Sequence, residues 1–245
     1  MKIDTIQIVI LSSVIIILAF VIRGLTGFGS GLIMVPLMAL FLDIKIVVSI
    51  AVVFAVISGV ILLLTFKTRQ WIRKELLPTL IFGSIIGVVI GTCILVSYKS
   101  DIIKKAFGVF LVLYALKMLF WEGMKLRRPS KCLGILAGLF GGLLGALFGT
   151  GGPPIVIYLN SVVDDRRIFR STILLYFLIA NSWQLITRIY CGLITASVLM
   201  LCLYLLPAFV IGNIVGSLIH IKIDDKIFNK VIILVLLISG IKLIF

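Results

Sequence analysis

The chain has 245 residues, of which 62% are hydrophobic, and it carries a formal net charge of +14. Soluble domains are only about 45–50% apolar, so this composition, with its mean hydropathy of +1.33, excludes an ordinary soluble protein. The basic residues are scattered through short connections, which argues against a nucleic-acid partner. Positive-inside placement of loops or attraction of anions explains the charge.

Apolar segments follow one another along the whole chain, and most are near the length of about 20 residues that a bilayer demands. Their bounds are 5–42, 44–66, 76–98, 102–120, 132–160, 171–187, 193–219 and 227–245. The sequence therefore predicts an all-α, multi-pass membrane protein of about eight transmembrane helices in a lipid bilayer. The N-terminal segment lacks a small-residue cleavage site and is interpreted as a retained first helix.

The two halves of the chain share short motifs in the same order. "FGSG" at 28–31 matches "FGTG" at 148–151, and "LLP" at 76–78 matches "LLP" at 205–207. We predict two tandem four-helix repeats, 1–124 and 125–245, within one integral membrane domain. The halves share an orientation if each segment crosses once, and they could be inverted if the glycine-rich stretches re-enter. The basic connections "KTRQWIRKE" and "KLRRPSK" are placed in the cytoplasm, and both termini with them.

The first and fifth segments are interrupted by "LTGFGSGLIMVP" at 25–36 and "LFGTGGPPIVIY" at 147–158. Glycine and proline at this density end a helix, so each segment is expected to divide, with Thr150 capping a helix that begins at Pro153. The start of such a half-helix has free N–H groups and a partial positive charge, which favour an anion. The predicted substrate-binding residues in the two breaks are Gly27, Gly29, Ser30, Gly31, Gly149, Thr150, Gly151, Gly152 and Pro153.

Three further polar residues lie inside apolar segments. Arg23 stands near the middle of the first segment, where an arginine is expensive and usually functional. The alternative is that the first helix ends there and the side chain snorkels to the interface. Asn181 and Gln184 in the sixth segment either bond to a neighbouring helix or line a transport path. All three are candidate substrate ligands.

The sequence contains no motif for catalysis or for a cofactor. The cysteines form no CxxC pair, there is a single histidine, and neither HExxH nor GxSxG occurs. We therefore predict no enzyme, no metal site and no cofactor.

The chain resembles the sulfite exporter TauE/SafE family, also described as sulfonate-uptake type permeases. The resemblance rests on "RGLTGFGSGLIMVPLM" and "GLFGGLLGALFGTGGPPIVIYL", and on "LLPTLIFGSIIGVVIG" with "LLPAFVIGNIVGSLI". Ser30 departs from the family pattern, in which glycine is frequent. The resemblance implies a multi-pass secondary transporter in the cytoplasmic membrane of a prokaryote.

On this resemblance, the expected substrate is a small anion, such as sulfite, a sulfonate or a related sulfur oxyanion or organic acid. Export by alternating access between the two repeats is the leading hypothesis. An anion channel and a membrane subunit of a larger complex are the alternatives, and a homo-oligomer is left open.

Overall fold

The computed structural model describes residues 5–26, 29–65, 69–120, 130–218 and 225–244, and these residues form helices and short connections without a strand. The α-helices are α1 (Thr5–Thr26), α2 (Ser30–Ala39), α3 (Ile44–Thr65), α4 (Leu77–Ser97), α5 (Ser100–Phe120), α6 (Lys131–Phe148), α7 (Gly152–Val162), α8 (Arg166–Tyr190), α9 (Ala196–Leu218) and α10 (Asp225–Ile244). The predicted all-α fold is confirmed over these residues.

Six of the described helices are long and apolar enough to cross a membrane: α1, α3, α4, α6, α8 and α9. The first and fifth apolar segments each contain two helices, so five helices precede residues 121–129 and five follow them. The predicted boundary between the repeats, at 124 and 125, falls outside the described residues.

Both breaks end one helix and start a short one after a glycine with positive φ. Gly29, at φ +92°, precedes α2, and Gly149, at φ +65°, follows the last residue of α6. This backbone region favours glycine because it has no Cβ. The expectation that Thr150 caps α7 is wrong: α7 begins at Gly152 without a side-chain cap. The Thr150 N–H instead donates to the Leu144 carbonyl, so Thr150 belongs to the end of α6.

The fourth helix of each half packs in parallel against the first helix of the other half. The contacts that establish this direction are Gly83 with Ile135 and Gly87 with Leu139 for α4 and α6, and Gly212 with Ile17 and Gly216 with Val21 for α9 and α1. Glycine permits this close approach, because any Cβ there would meet backbone atoms of the facing helix. The two halves of the chain therefore exchange their fourth helices.

Two further helix pairs cross between the halves, and both are antiparallel. The contacts that establish this are Ser49 with Arg188 and Gly59 with Leu178 for α3 and α8, and Gly108 with Ile244 and Val112 with Gly240 for α5 and α10. The third helices of the two halves thus run in opposite directions, and so do the fifth helices.

These directions place the helix ends on two faces. At face A, α3, α5, α7 and α9 end and α4, α6, α8 and α10 begin; at face B, α2, α4, α8 and α10 end and α1, α3, α5 and α9 begin. Arg73 links the connections at face A, since its N–H donates to Thr172 Oγ1 and its guanidinium to the Val162 carbonyl. At face B, Lys45 Nζ donates to the Val96 carbonyl.

Candidate functional site

The two breaks meet inside the helix bundle, where Gly31 lies against the carbonyl of Gly149. The cavity beside this contact, called the break cavity here, is lined by both breaks together with parts of α1, α3, α4, α6 and α8. The predicted residues that line it are Arg23, Gly29, Ser30, Gly31, Gly149, Thr150, Gly151, Gly152, Asn181 and Gln184. Pro153 is buried in the first turn of α7 and does not line it, and Gly27 lies outside the described residues. That these residues bind a substrate stays a prediction.

Arg23, near the end of α1, is buried, with 4% of its surface exposed. Its side chain reaches the middle of the neighbouring helix α3, at Ala55. Its guanidinium donates to Ser30 Oγ at 3.3 Å and to the Ala55 carbonyl at 3.1 Å, and its Nε has no partner. The snorkelling alternative is therefore wrong, because the side chain turns into the protein interior and across the first break. Its two partners are neutral, so its charge is not compensated by them.

Gln184 combines the two roles that the sequence left open. Its Nε2 donates to the Gly145 carbonyl in the last turn of α6 at 2.8 Å, while the side chain also lines the break cavity. Asn181 is half-buried and lines the same cavity. The cavity is therefore bordered by two amide side chains on α8 and by the arginine near the end of α1.

Arg188 is a buried charge that the sequence analysis missed. It is 0% exposed and donates to Ser49 Oγ at 3.2 Å and to the Ala146 carbonyl at 2.7 Å. The apolar pattern of the sixth segment ends at residue 187, so the sequence alone places Arg188 at the membrane interface. Its spacing from Gln184 was the available signal, since residues four apart share a helix face.

Among the residues whose side chains the structure describes, which leave out 225–231, the buried charges are the guanidinia of Arg23 and Arg188, and no carboxylate is buried. A buried charge without a counter-ion is strongly unfavourable. The starts of α2 and α7 add partial positive charge at the cavity, and neither has a side-chain cap. Thr150, whose buried hydroxyl has no partner, adds a free hydrogen-bonding group. This arrangement is suited to a small anion.

The comparison with protein families supports a membrane transporter. The family described as Sulfite exporter TauE/SafE matches residues 12–243, which include both breaks and nearly the whole chain. No curated protein and no solved structure gives a match. The family comprises exporter-type membrane transporters of sulfite and sulfur anions and is not an enzyme family. The chain belongs to the TauE/SafE sulfite exporter family.

Proposed function

We propose that this protein is a secondary transporter that exports a small sulfur oxyanion or sulfonate across the cytoplasmic membrane of a prokaryote. The observation that carries the proposal is Arg23, a buried cation with only neutral partners, on a cavity formed by two helix breaks. Broken helices that meet inside a membrane bundle form the binding sites of many secondary transporters.

The anion binds in the break cavity between Arg23 and the start of α7. The guanidinium supplies the charge, and the Thr150 hydroxyl and the backbone N–H groups of Gly151 and Gly152 supply uncharged donors. Pro153 has no backbone N–H, so the backbone donors at the start of α7 belong to the residues that precede it in the chain. The glycines in both breaks let a small anion approach the backbone closely.

The two halves form an inverted repeat. Each half has five α-helices among its described residues, an odd number, and the equivalent pairs α3 with α8 and α5 with α10 are antiparallel. A matched pair of contacts supports the equivalence: Ser84 and Asn213 each lie six residues after the proline of "LLP". Ser84 bonds to Tyr176 of α8, and Asn213 bonds to Ser58 of α3. We therefore favour the re-entrant alternative over halves that share an orientation.

Alternating access takes place along the seam between α3 and α8. Because the halves exchange their fourth helices, the moving units are not residues 1–124 and 125–245. We take α1, α2, α3 and α9 as one unit and α4, α6, α7 and α8 as the other. The basis is that α9 packs along both α1 and α3, while α4 packs along both α6 and α8. The seam between these units contains the break cavity, so sliding or rocking there would expose the anion to each face in turn.

Face A is cytoplasmic. Described cations near it are Arg73, Lys74, Lys131, Arg166 and Arg167, and the sequence adds Lys67, Lys125, Arg127, Arg128 and Lys222 in the segments that join its helices. At face B the corresponding cations are Lys45, Lys99, Lys104, Lys105 and Lys242, and the sequence adds Lys2 ahead of α1. The positive-inside rule counts these residues irrespective of nearby acids. Because α1 begins and α10 ends at face B, this orientation places both termini on the side opposite the cytoplasm. The sequence analysis expected them in the cytoplasm.

Transport by the purified protein in proteoliposomes tests the proposal. We expect saturable uptake of labelled sulfite, thiosulfate or sulfoacetate, and accumulation against a gradient when a proton gradient is imposed. Arg23→Gln should raise the half-saturating concentration about tenfold or more, because a charge-assisted contact is lost, and Arg23→Lys should recover part of it. Arg167→Gln is the matched control, because Arg167 is exposed and lies over the Trp71 ring.

The alternatives give different results in the same vesicles. A channel conducts the anion down its gradient and shows no counterflow of labelled anion against unlabelled anion. A membrane subunit of a larger complex transports nothing alone. Normal affinity in Arg23→Gln would remove the break cavity from the transport site.

A further inference from the structure

Arg188 is the second buried cation of the described residues, and the proposed binding site does not use it. It does not line the break cavity, but it lies on α8 one helical turn beyond Gln184, which does. The Arg188 guanidinium links α8 to two other helices, since it donates to Ser49 Oγ of α3 and to the Ala146 carbonyl of α6. It is therefore at the same α3–α8 seam as the cavity.

The two arginines mark two depths along α3. Arg23 bonds to Ala55 and Arg188 bonds to Ser49, and six residues of helix correspond to about 9 Å along its axis. Because α3 begins at face B, Arg188 is the closer of the two to that face. A straight line from the cavity to face B along α3 thus passes Arg188.

The bonding of Arg188 is incomplete in a way that suits a temporary ligand. Its Nε has no partner, and its two acceptors are a hydroxyl and a carbonyl, both neutral. The carbonyl of Ala146 lies in the last turn of α6, where the helix dipole offers partial negative charge. That charge explains how the cation is tolerated when the seam is closed, and a full anion would compensate it better.

We infer that Arg188 forms a second anion-binding position, between the break cavity and face B, which the sulfur anion occupies when the seam opens toward face B. This inference rests on the proposed function. In the closed seam, Ser49 and the Ala146 carbonyl take the place of the anion. An exported anion then moves from Arg23 to Arg188 before release, which divides one long transfer between two cations.

Uptake measured separately in inside-out and right-side-out membrane vesicles tests the inference, because these expose face A and face B respectively. Arg188→Gln should raise the half-saturating sulfite concentration at face B about tenfold, with the value at face A changed less than about twofold. Arg188→Lys keeps the charge and should recover much of the affinity at face B. Arg23→Gln should instead weaken both sides, and Arg167→Gln should weaken neither.

A second pair of variants applies if substitutions of Arg188 prevent folding. Ser49→Asp places a carboxylate beside the guanidinium and mimics a permanently occupied position, so it should fold and lose transport. Ser49→Asn has nearly the same shape without the charge, and the comparison isolates the effect of the carboxylate. Equal transport by Ser49→Asp and Ser49→Asn would overturn the inference.

The failures of the two ideas are distinguishable. Wild-type vesicles that move none of the sulfur anions would refute the proposed function and the inference together. Wild-type transport combined with unchanged affinity of Arg188→Gln at face B would overturn the inference alone. In that case Arg188 only caps the end of α6, a role in which glutamine can replace it.

Discussion

Gly31 lies directly against the carbonyl of Gly149, so two breaks that are 118 residues apart in sequence touch inside the bundle. A Cβ on Gly31 would overlap this backbone carbonyl, which cannot move aside as a flexible side chain does. The contact holds the starts of α2 and α7 at one cavity. The meeting of the breaks therefore depends on glycine at this position.

Gly31→Ala should separate the breaks. We expect a loss of about 1–3 kcal/mol in stability from overpacking, together with loss of transport. Gly59→Ala is the matched control, because the atom nearest to its new Cβ, at 3.2 Å, is Cδ1 of the Leu178 side chain, which can shift. Thermal unfolding in detergent and vesicle uptake measure the two effects. A Gly31→Ala protein as stable as Gly59→Ala would contradict the packing argument.

The proposed moving units make different predictions for two engineered disulfides. A Cβ on Gly59 would lie 3.5 Å from the Leu178 Cβ, and a Cβ on Gly91 would lie 2.8 Å from the Ala146 Cβ. The first pair is at the separation of a disulfide. The second pair is closer than that, and the new Cβ on Gly91 also meets the Leu143 carbonyl at 2.7 Å, so α4 and α6 must separate slightly to accept the bond. Oxidation of the Gly59→Cys/Leu178→Cys pair joins the two units and should stop transport. The Gly91→Cys/Ala146→Cys pair joins α4 to α6 within one unit, and its oxidised form should still transport.

The four native cysteines are first replaced by serine, so that only the engineered pair can oxidise. Reduction should restore transport in the cross-linked α3–α8 variant, which shows that the block is the bond itself. Full transport by the oxidised α3–α8 variant would exclude movement along that seam.

The native cysteines report the membrane orientation without any substitution. Cys132 is exposed in the first turn of α6 at face A, and Cys191 is exposed directly after α8 at face B. A membrane-impermeant maleimide applied to intact cells should therefore label Cys191 and spare Cys132, which should react after the cells are broken. Peptide mass spectrometry identifies the labelled residue, and Cys191→Ser should remove the label from that peptide. Cys93, which is also exposed, in the part of α4 nearer face B, is distinguished by its own peptide. Labelling of Cys132 in intact cells would place face A outside.

Much of the candidate site was predictable because glycine and proline are local signals. Their positions indicated where helices end, and the described helices end at Thr26 and Phe148. Arg23 was also predictable, since a charge inside an apolar run is visible in sequence. Its burial was not, because the sequence does not show which way α1 faces at its end.

The parts that failed depend on contacts between distant segments. The length of an apolar segment does not distinguish one long membrane crossing from a helix followed by the 10-residue α2. The sequence therefore leaves open whether the two halves have the same or opposite orientation. Thr150 has a side chain that commonly caps helices, but its N–H donates to the Leu144 carbonyl at the end of α6. Arg188 is two residues before the end of α8, and only the neighbouring α3 and α6 make that position interior.

The hydroxyl of Thr150 allows the binding proposal to be separated from stability. It is buried at the break cavity and has no hydrogen-bond partner, so its removal leaves no protein group unpaired. Thr150→Val should therefore be neutral or slightly stabilising. A sulfur anion that accepts a hydrogen bond from this hydroxyl should bind about 2–10-fold more weakly to the variant, from the ordinary strength of one neutral bond.

Thr150→Ser retains the hydroxyl and should keep most of the affinity. Ser12→Ala is the matched control, because it removes another buried hydroxyl without a partner, at a position on α1 that does not line the cavity. Sulfite binding by isothermal titration, with thermal unfolding of the same samples, separates affinity from stability. Because an unpaired buried hydroxyl does not stabilise the fold, the variant should remain folded. Unchanged sulfite affinity in a stable Thr150→Val protein would then mean that the anion does not contact the Thr150 hydroxyl at the start of α7.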